Sequence, residues 1–119
     1  MMKILIVDDS RVARGSIMRA LSGLVNIKFF EADDGKTAWT AIKNEDPDLI
    51  FTDWYMNEMD GLELIKKVRE SGNSVKICMI TSEANDERKA LALDGGADYI
   101  LSKPIKIEEL AKAIELLIG

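Results

Sequence analysis

Lys3-Ile4-Leu5-Ile6-Val7-Asp8-Asp9-Ser10 opens the chain with four consecutive aliphatic residues and halts them with two carboxylates. The run is well short of the roughly 7–15-residue apolar core of a secretory leader. It does not alternate, as a half-exposed strand would; it reads instead as a strand, Lys3–Val7, covered on both faces. Four more short runs repeat the pattern, at Ile27–Ala32, Asp48–Thr52, Val75–Ile80 and Asp98–Leu101. Three of the five are almost continuously apolar, the mark of a parallel sheet with helices on either side.

The stretches between them carry helical periodicity. Ala13, Ile17, Leu21 and Leu24 recur every three or four residues, as do Leu62, Ile65 and Val68. Ile107, Leu110, Ala111, Ile114 and Leu117 predict a strongly amphipathic last helix. A fourth helix is expected from about Ala84 to Asp94, with only a ragged stripe of Ala90, Leu91 and Leu93. Asp34-Gly35 marks a turn before the second helix, and Gly72 and Gly95-Gly96 close the third and fourth. Five such βα units, joined by right-handed crossovers, predict an α/β doubly wound sheet. Ligands of such a sheet bind outside the carboxyl ends of its strands. Asp8, Asp9 and Ser10 follow the first strand, Asp53 the third, Thr81 and Ser82 the fourth, and Lys103 the fifth. The reactive side chains therefore converge on one edge.

Bulk properties bound the rest. The 119 residues predict one domain, 1–119, with 47% hydrophobic and 31% charged residues. No apolar run nears the roughly 20 residues of a membrane helix, and a cytoplasmic protein is expected. The net charge of −5, with no basic cluster, argues against direct binding of nucleic acid. Absence of histidine removes imidazole catalysis and most zinc sites. Cys78, inside an apolar run, reads as a core residue.

Three carboxylates at one crevice repel one another unless a cation sits among them, and hard oxygen donors suit Mg²⁺. Lys103 adds a mobile ammonium and Thr81 a neutral donor, both suited to phosphate oxygens. An aspartate can itself be the nucleophile that takes a phosphoryl group. Taken singly, each feature has a plainer explanation: Asp8-Asp9 as a helix start, Asp53 as a turn, Thr81 as a cap, Lys103 as a surface lysine. Their arrival from four strand ends together predicts a Mg²⁺-dependent phosphoryl-transfer site.

Those residues, with Met59-Asp60-Gly61-Leu62-Glu63-Leu64, Gly96-Ala97 and Lys103-Pro104, make the chain similar over its full length to bacterial response-regulator receivers. The resemblance is strongest to the stand-alone chemotaxis type. It implies a flavodoxin-like sheet of strand order 2-1-3-4-5, with Asp53 as phosphoacceptor. It also implies Asp9 as a direct Mg²⁺ ligand, Asp8 acting largely through water, and the Tyr55 backbone carbonyl as a further ligand. Thr81 and Lys103 would hold phosphoryl oxygens, and the Lys103-Pro104 peptide bond would be cis. A histidine kinase or phosphotransfer protein would donate the phosphoryl group, and a downstream protein, unspecified by these residues, would read it. The role implied is that of a signalling protein rather than an enzyme, beyond catalysing its own phosphorylation and dephosphorylation.

Three positions depart from the pattern. Asn57 stands where proline is frequent, which predicts a freer loop, and Tyr55 is large for a place beside the acceptor. Ile100 occupies the switch position usually held by an aromatic. Tyr99 is adjacent, but neighbouring strand residues face opposite sides. The response to phosphorylation is therefore expected to run through the backbone from Thr81 to about Arg88, with partner binding dependent on that helix and on an exposed Tyr99. Trp39, Met56 and Met59 read as packing residues, and Glu108 and Glu109 as a favourable first turn. Two other readings compete: a Mg²⁺-dependent phosphohydrolase with an aspartyl-phosphate intermediate, and a pseudo-receiver that binds partners without phosphorylation. A nucleotide-binding flavodoxin-like domain lacks its glycine-rich phosphate loop. The chain ends just after the last helix, which fits either a stand-alone regulator or the receiver of a longer one.

Overall fold

The computed structural model describes residues 1–24 and 26–119. Among these residues, strands β1 (Met2–Val7), β2 (Ile27–Ala32), β3 (Leu49–Asp53), β4 (Lys76–Thr81) and β5 (Tyr99–Ser102) alternate with five helices. These are α1 (Arg11–Ala20), α2 (Gly35–Glu45), α3 (Gly61–Glu70), α4 (Asp86–Gly95) and α5 (Ile107–Ile118). All strands are parallel, in the order β2-β1-β3-β4-β5. That is the flavodoxin-like order expected.

Alternation along each strand divides the core in two. Leu5, Val7, Ile50, Ile77 and Met79 meet Ala38 and Ile42 of α2, Leu64, Ile65 and Val68 of α3, and Ala92 of α4. Ile4, Ile6, Leu49, Phe51, Cys78 and Ile80 meet Ile17 of α1 with Leu110 and Ala113 of α5. Both faces of the central strands are thus covered, which is why their sequences are apolar without a period of two. Each fully buried aliphatic contributes roughly 1.5–3 kcal/mol by leaving water. Cys78 lies wholly inside, and burial pushes its thiol up to about 12. All the helices but α5 start on side-chain caps: Ser10 accepts from Ala13 N–H (3.1 Å), Asp34 from Thr37 (2.7 Å), and Asn85 from Arg88 (2.8 Å). Asp60 and Glu63 form a reciprocal capping box on α3.

Several boundaries differ from the sequence expectation. β1 starts one residue earlier, and β3, β4 and β5 each run one residue later. Asp53 and Thr81 are therefore the last residues of their strands, because their backbones still pair, Asp53 with Ile80 and Thr81 with Ser102. α1 stops at Ala20 with Leu21 as its C-cap, so Leu24 falls off the stripe and is 49% exposed. α4 starts at Asp86 rather than Ala84, since Asn85 caps it, and Ala92 is its one buried residue. On α5, Ile107 is 65% exposed and Ala111 is also exposed, whereas the unanticipated Ala113 is buried. Tyr99 is only partly exposed, packed against the α1/α5 side of the core, and so is not the free surface aromatic expected. Ile100 does face the other way, toward the α2–α4 side. Trp39 is half-buried under Lys43 and Lys67, and Met56 and Met59 pack on the same core.

Two glycines let the β3–α3 loop pack closely, Gly35 at the start of α2 and Gly61 at the start of α3. A Cβ on Gly35 would lie 2.3 Å from the Met59 carbonyl oxygen, and one on Gly61 only 2.0 Å from that of Asp53. Side chains at these positions would push the loop away from the strand end that it covers.

Candidate functional site

Asp8 and Asp53 leave the carboxyl ends of adjacent strands, and each is held in the same way. One oxygen takes a backbone N–H and the other faces Lys103. Asp8 Oδ1 accepts from Ser10 N–H at 2.9 Å, and its Oδ2 lies 3.0 Å from Lys103 Nζ. Asp53 Oδ1 accepts from Trp54 N–H at 2.8 Å, and its Oδ2 lies 3.4 Å from the same ammonium. Exposure grades the group: the Asp8 side chain is 4% exposed, Asp53 12% and Lys103 28%, while Asp9 stands in solvent. Carboxylate oxygens of Asp8, Asp9 and Asp53 all lie within 4.8 Å of one another.

At that spacing two carboxylates repel by on the order of 3 kcal/mol at the effective dielectric of a protein surface. A single ammonium cannot neutralise three of them. The imbalance shows in Asp53, whose carboxyl is raised above its ordinary value by burial and then by the charge of Asp8. Lys103 and the Trp54 N–H pull it down only in part. For Lys103, burial alone would lower the ammonium, but the bond to Asp8 and the charges of Asp53 and Asp8 outweigh it, and its pKa is raised. The lysine is thus firmly charged. The pocket retains excess negative charge and a donor set of hard oxygens, which fits a small divalent cation.

Thr81 is fully buried at the end of β4, and its Oγ1 accepts from Glu83 N–H at 3.2 Å. It therefore begins the β4–α4 loop rather than capping α4, and the hydroxyl proton keeps its donor capacity. Lys103 N–H donates to the Thr81 carbonyl at 2.9 Å, which holds the ends of β4 and β5 together. The Lys103-Pro104 peptide bond is cis, as the family resemblance implied. Tyr55 is 43% exposed, stacks beside Trp54 and donates its hydroxyl to Glu83 at 3.2 Å. Ile100 lies within the α2–α4 core rather than in the acidic pocket.

Two contributors were missed in the sequence. Arg14, one turn into α1, donates to the Asp8 carbonyl at 2.7 Å while paired with Glu31, and so fixes the loop that carries Asp8 and Asp9. Arg88 lies over the rings of Trp54 and Tyr55. Spacing from the Ser10 cap could have suggested Arg14; no local signal points Arg88 at those rings.

The model for the response regulator receiver domain matches residues 4–115. A chemotaxis protein CheY homolog of Campylobacter jejuni is 38% identical, covering 99% of this chain and 93% of that protein. Chemotaxis protein CheY1 of Helicobacter pylori is 37% identical over 99% and 98%. Among solved structures, Vibrio cholerae chemotaxis protein CheY4 superposes with a TM-score of 0.90 at 31% identity, covering 99% of both chains. The Francisella response regulator 1452 receiver domain also scores 0.90, at 29% identity over 98% and 96%. Strand order, the acidic group at the strand ends and the length of these matches agree: the chain belongs to the response regulator receiver domain family, as a CheY-like signalling module.

Proposed function

We propose that residues 1–119 act as one cytoplasmic receiver domain. It accepts a phosphoryl group on Asp53 from a histidine kinase or phosphotransfer protein and changes its binding to a downstream protein. The observation that carries this reading is the sharing of Lys103 by Asp8 and Asp53 at the carboxyl edge of the sheet, at 3.0 and 3.4 Å. In the transfer, an Asp53 carboxylate oxygen forms a bond to phosphorus, and the bond from phosphorus to the donor breaks. Its electron pair leaves with the donor. Lys103 is placed to meet the incoming charge, and the Thr81 hydroxyl to donate to a phosphoryl oxygen. Asp8, Asp9 and Asp53, with the Tyr55 carbonyl, would hold Mg²⁺, which when bound offsets negative charge on the transferring group. No helix among the described residues is long and apolar enough to cross a membrane.

The test is labelling with acetyl phosphate and Mg²⁺. One acid-stable, base-labile phosphoryl group per chain is expected, and Asp53→Asn, which keeps the shape but lacks the nucleophile, should take none. Undiminished labelling of that variant would overturn the assignment.

A further inference from the structure

Asp53 is joined to α4 by a set of contacts that neither metal binding nor phosphoryl binding uses. Trp54, whose N–H holds Asp53 Oδ1, has its side chain almost wholly buried, with Tyr55 stacked on it at 6.0 Å between centroids. Arg88, in the first turn of α4, places its guanidinium carbon 5.3 Å from the Trp54 ring centre and 5.6 Å from that of Tyr55. The same side chain lies 3.7 Å from Glu83 Oε2, the oxygen that accepts the Tyr55 hydroxyl. Arg88, Glu83, Tyr55 and Trp54 therefore close a ring that spans the β3–α3 and β4–α4 loops. An arginine over aromatic faces gains from both the charge and the planar stack.

The helix that Arg88 belongs to is otherwise lightly held. Ala92 is its only buried residue, and Leu91 and Leu93 are 45% and 52% exposed. Its preceding loop hangs on Thr81, through the bond from Glu83 N–H to Oγ1. We infer that Arg88 is a positioning residue that couples the state of Asp53 to α4, docking the helix when the acceptor is unmodified and releasing it when phosphorylated. This rests on Asp53 being the phosphoacceptor. As Thr81 turns toward a phosphoryl oxygen, the Glu83 N–H loses its acceptor and the loop shifts. Glu83 then leaves the Tyr55 hydroxyl, Arg88 loses its ion pair, and the first turn of α4 lifts from the rings. Docked and released α4 are the two states, and modification at Asp53 shifts the population between them. With isoleucine at position 100, the aromatic surface that changes exposure is that of Trp54 and Tyr55.

The experiment compares the parent chain, Arg88→Met, Arg88→Lys and Glu83→Gln, each with and without beryllofluoride plus Mg²⁺. Two readouts are used: amide hydrogen exchange across residues 89–94, and Trp54 emission in a Trp39→Phe background. In the parent, beryllofluoride should speed exchange in α4 by roughly fivefold or more, the lower end of ordinary coupling between sites. Arg88→Met should exchange fast from the outset and respond less than about twofold, below that same range. Arg88→Lys, which keeps the charge, should recover part of the response, and Glu83→Gln should lose part of it. Arg88→Met should still take one phosphoryl group per chain from acetyl phosphate, on Asp53. A full exchange response in Arg88→Met overturns the inference, and so does a parent that labels normally but shows no response in α4. A parent that does not label overturns the phosphoacceptor reading itself, and the inference with it.

Discussion

Gly61→Ala probes a tight backbone approach of α3 to the end of β3 at Asp53. The added Cβ would lie 2.0 Å from the Asp53 carbonyl oxygen, 3.0 Å from its carbonyl carbon and 3.1 Å from Trp54 Cα. Ordinary contact begins near 3.4 Å, and all three atoms are backbone, so no side chain can swing aside. Either the end of β3 or the start of α3 must retreat by roughly 1 Å, which also strains the 2.7 Å bond from Gly61 N–H to the Trp54 carbonyl. Overpacking of this kind costs about 1–3 kcal/mol. For a chain of this size that is a fall in thermal midpoint of roughly 3–15 °C. Function should suffer more than stability, because a misplacement of about 1 Å at a reacting group can cost around 100-fold in rate. The assay is the initial rate of Asp53 labelling by acetyl phosphate, measured at a temperature where circular dichroism shows the variant fully folded. A variant that labels at the parent rate with an unchanged midpoint would refute the reasoning, since the strand end would then have room that the geometry denies it.

Asp9→Asn removes an exposed member of the acidic group. It should raise the metal-free thermal midpoint by relieving repulsion while weakening Mg²⁺ by at least ~10-fold, read from Trp54 emission; overlaying titrations would count against Asp9 as a ligand. Asp53 has a folded pKa raised above its ordinary value of 3.8 by burial and by the charge of Asp8, so the folded state holds more protons than the unfolded one between the ordinary and the raised value. Stability from this group therefore falls as pH rises through that window and stays reduced at neutral pH. Metal-free Asp53→Asn should accordingly have the higher urea midpoint at pH 7, with the advantage shrinking as pH falls toward 3.8; a lower midpoint at pH 7 would contradict the raised pKa. Arg69 donates to the Gly96 and Asn73 carbonyls, both at 3.0 Å, and to Asp98 at 2.9 Å, so it fastens the turn between α4 and β5. Arg69→Met should cost about 2 kcal/mol in urea unfolding, more than an exposed ion pair, because two carbonyls lose their donor; a loss under about 0.5 kcal/mol would place Arg69 among surface charges.

The strands could be read because each is a short run rich in aliphatic or aromatic residues, and three of the five are almost continuously apolar, which burial on both faces of a sheet tolerates. The site's location followed from the same reading. Once the strands are parallel, the residues at their carboxyl ends share an edge, and Asp8, Asp9, Asp53, Thr81 and Lys103 sit at those ends. Local pattern also set which face a residue takes, as with Ile100 and Tyr99 on opposite sides of β5. It did not set how deeply Tyr99 is covered, because that depends on α5 packing over it.

Tertiary structure alone decided which side chains meet. Lys103 and Asp8 are 95 positions apart, and nothing near either residue says that one ammonium bridges Asp8 and Asp53. The grip of Arg14 on the Asp8 carbonyl, the contact of Gly61 with β3 and the seat of Arg88 over two rings are likewise products of chain crossing. α4 was the hardest helix to place for a related reason. It buries only Ala92, so it carries almost no apolar stripe, and its position depends on a cap at Asn85 and on Arg88 reaching loops encoded elsewhere. Periodicity records what a segment buries against the sheet; it is silent on polar and stacking contacts between loops, whose partners are chosen only once the strands have brought them together.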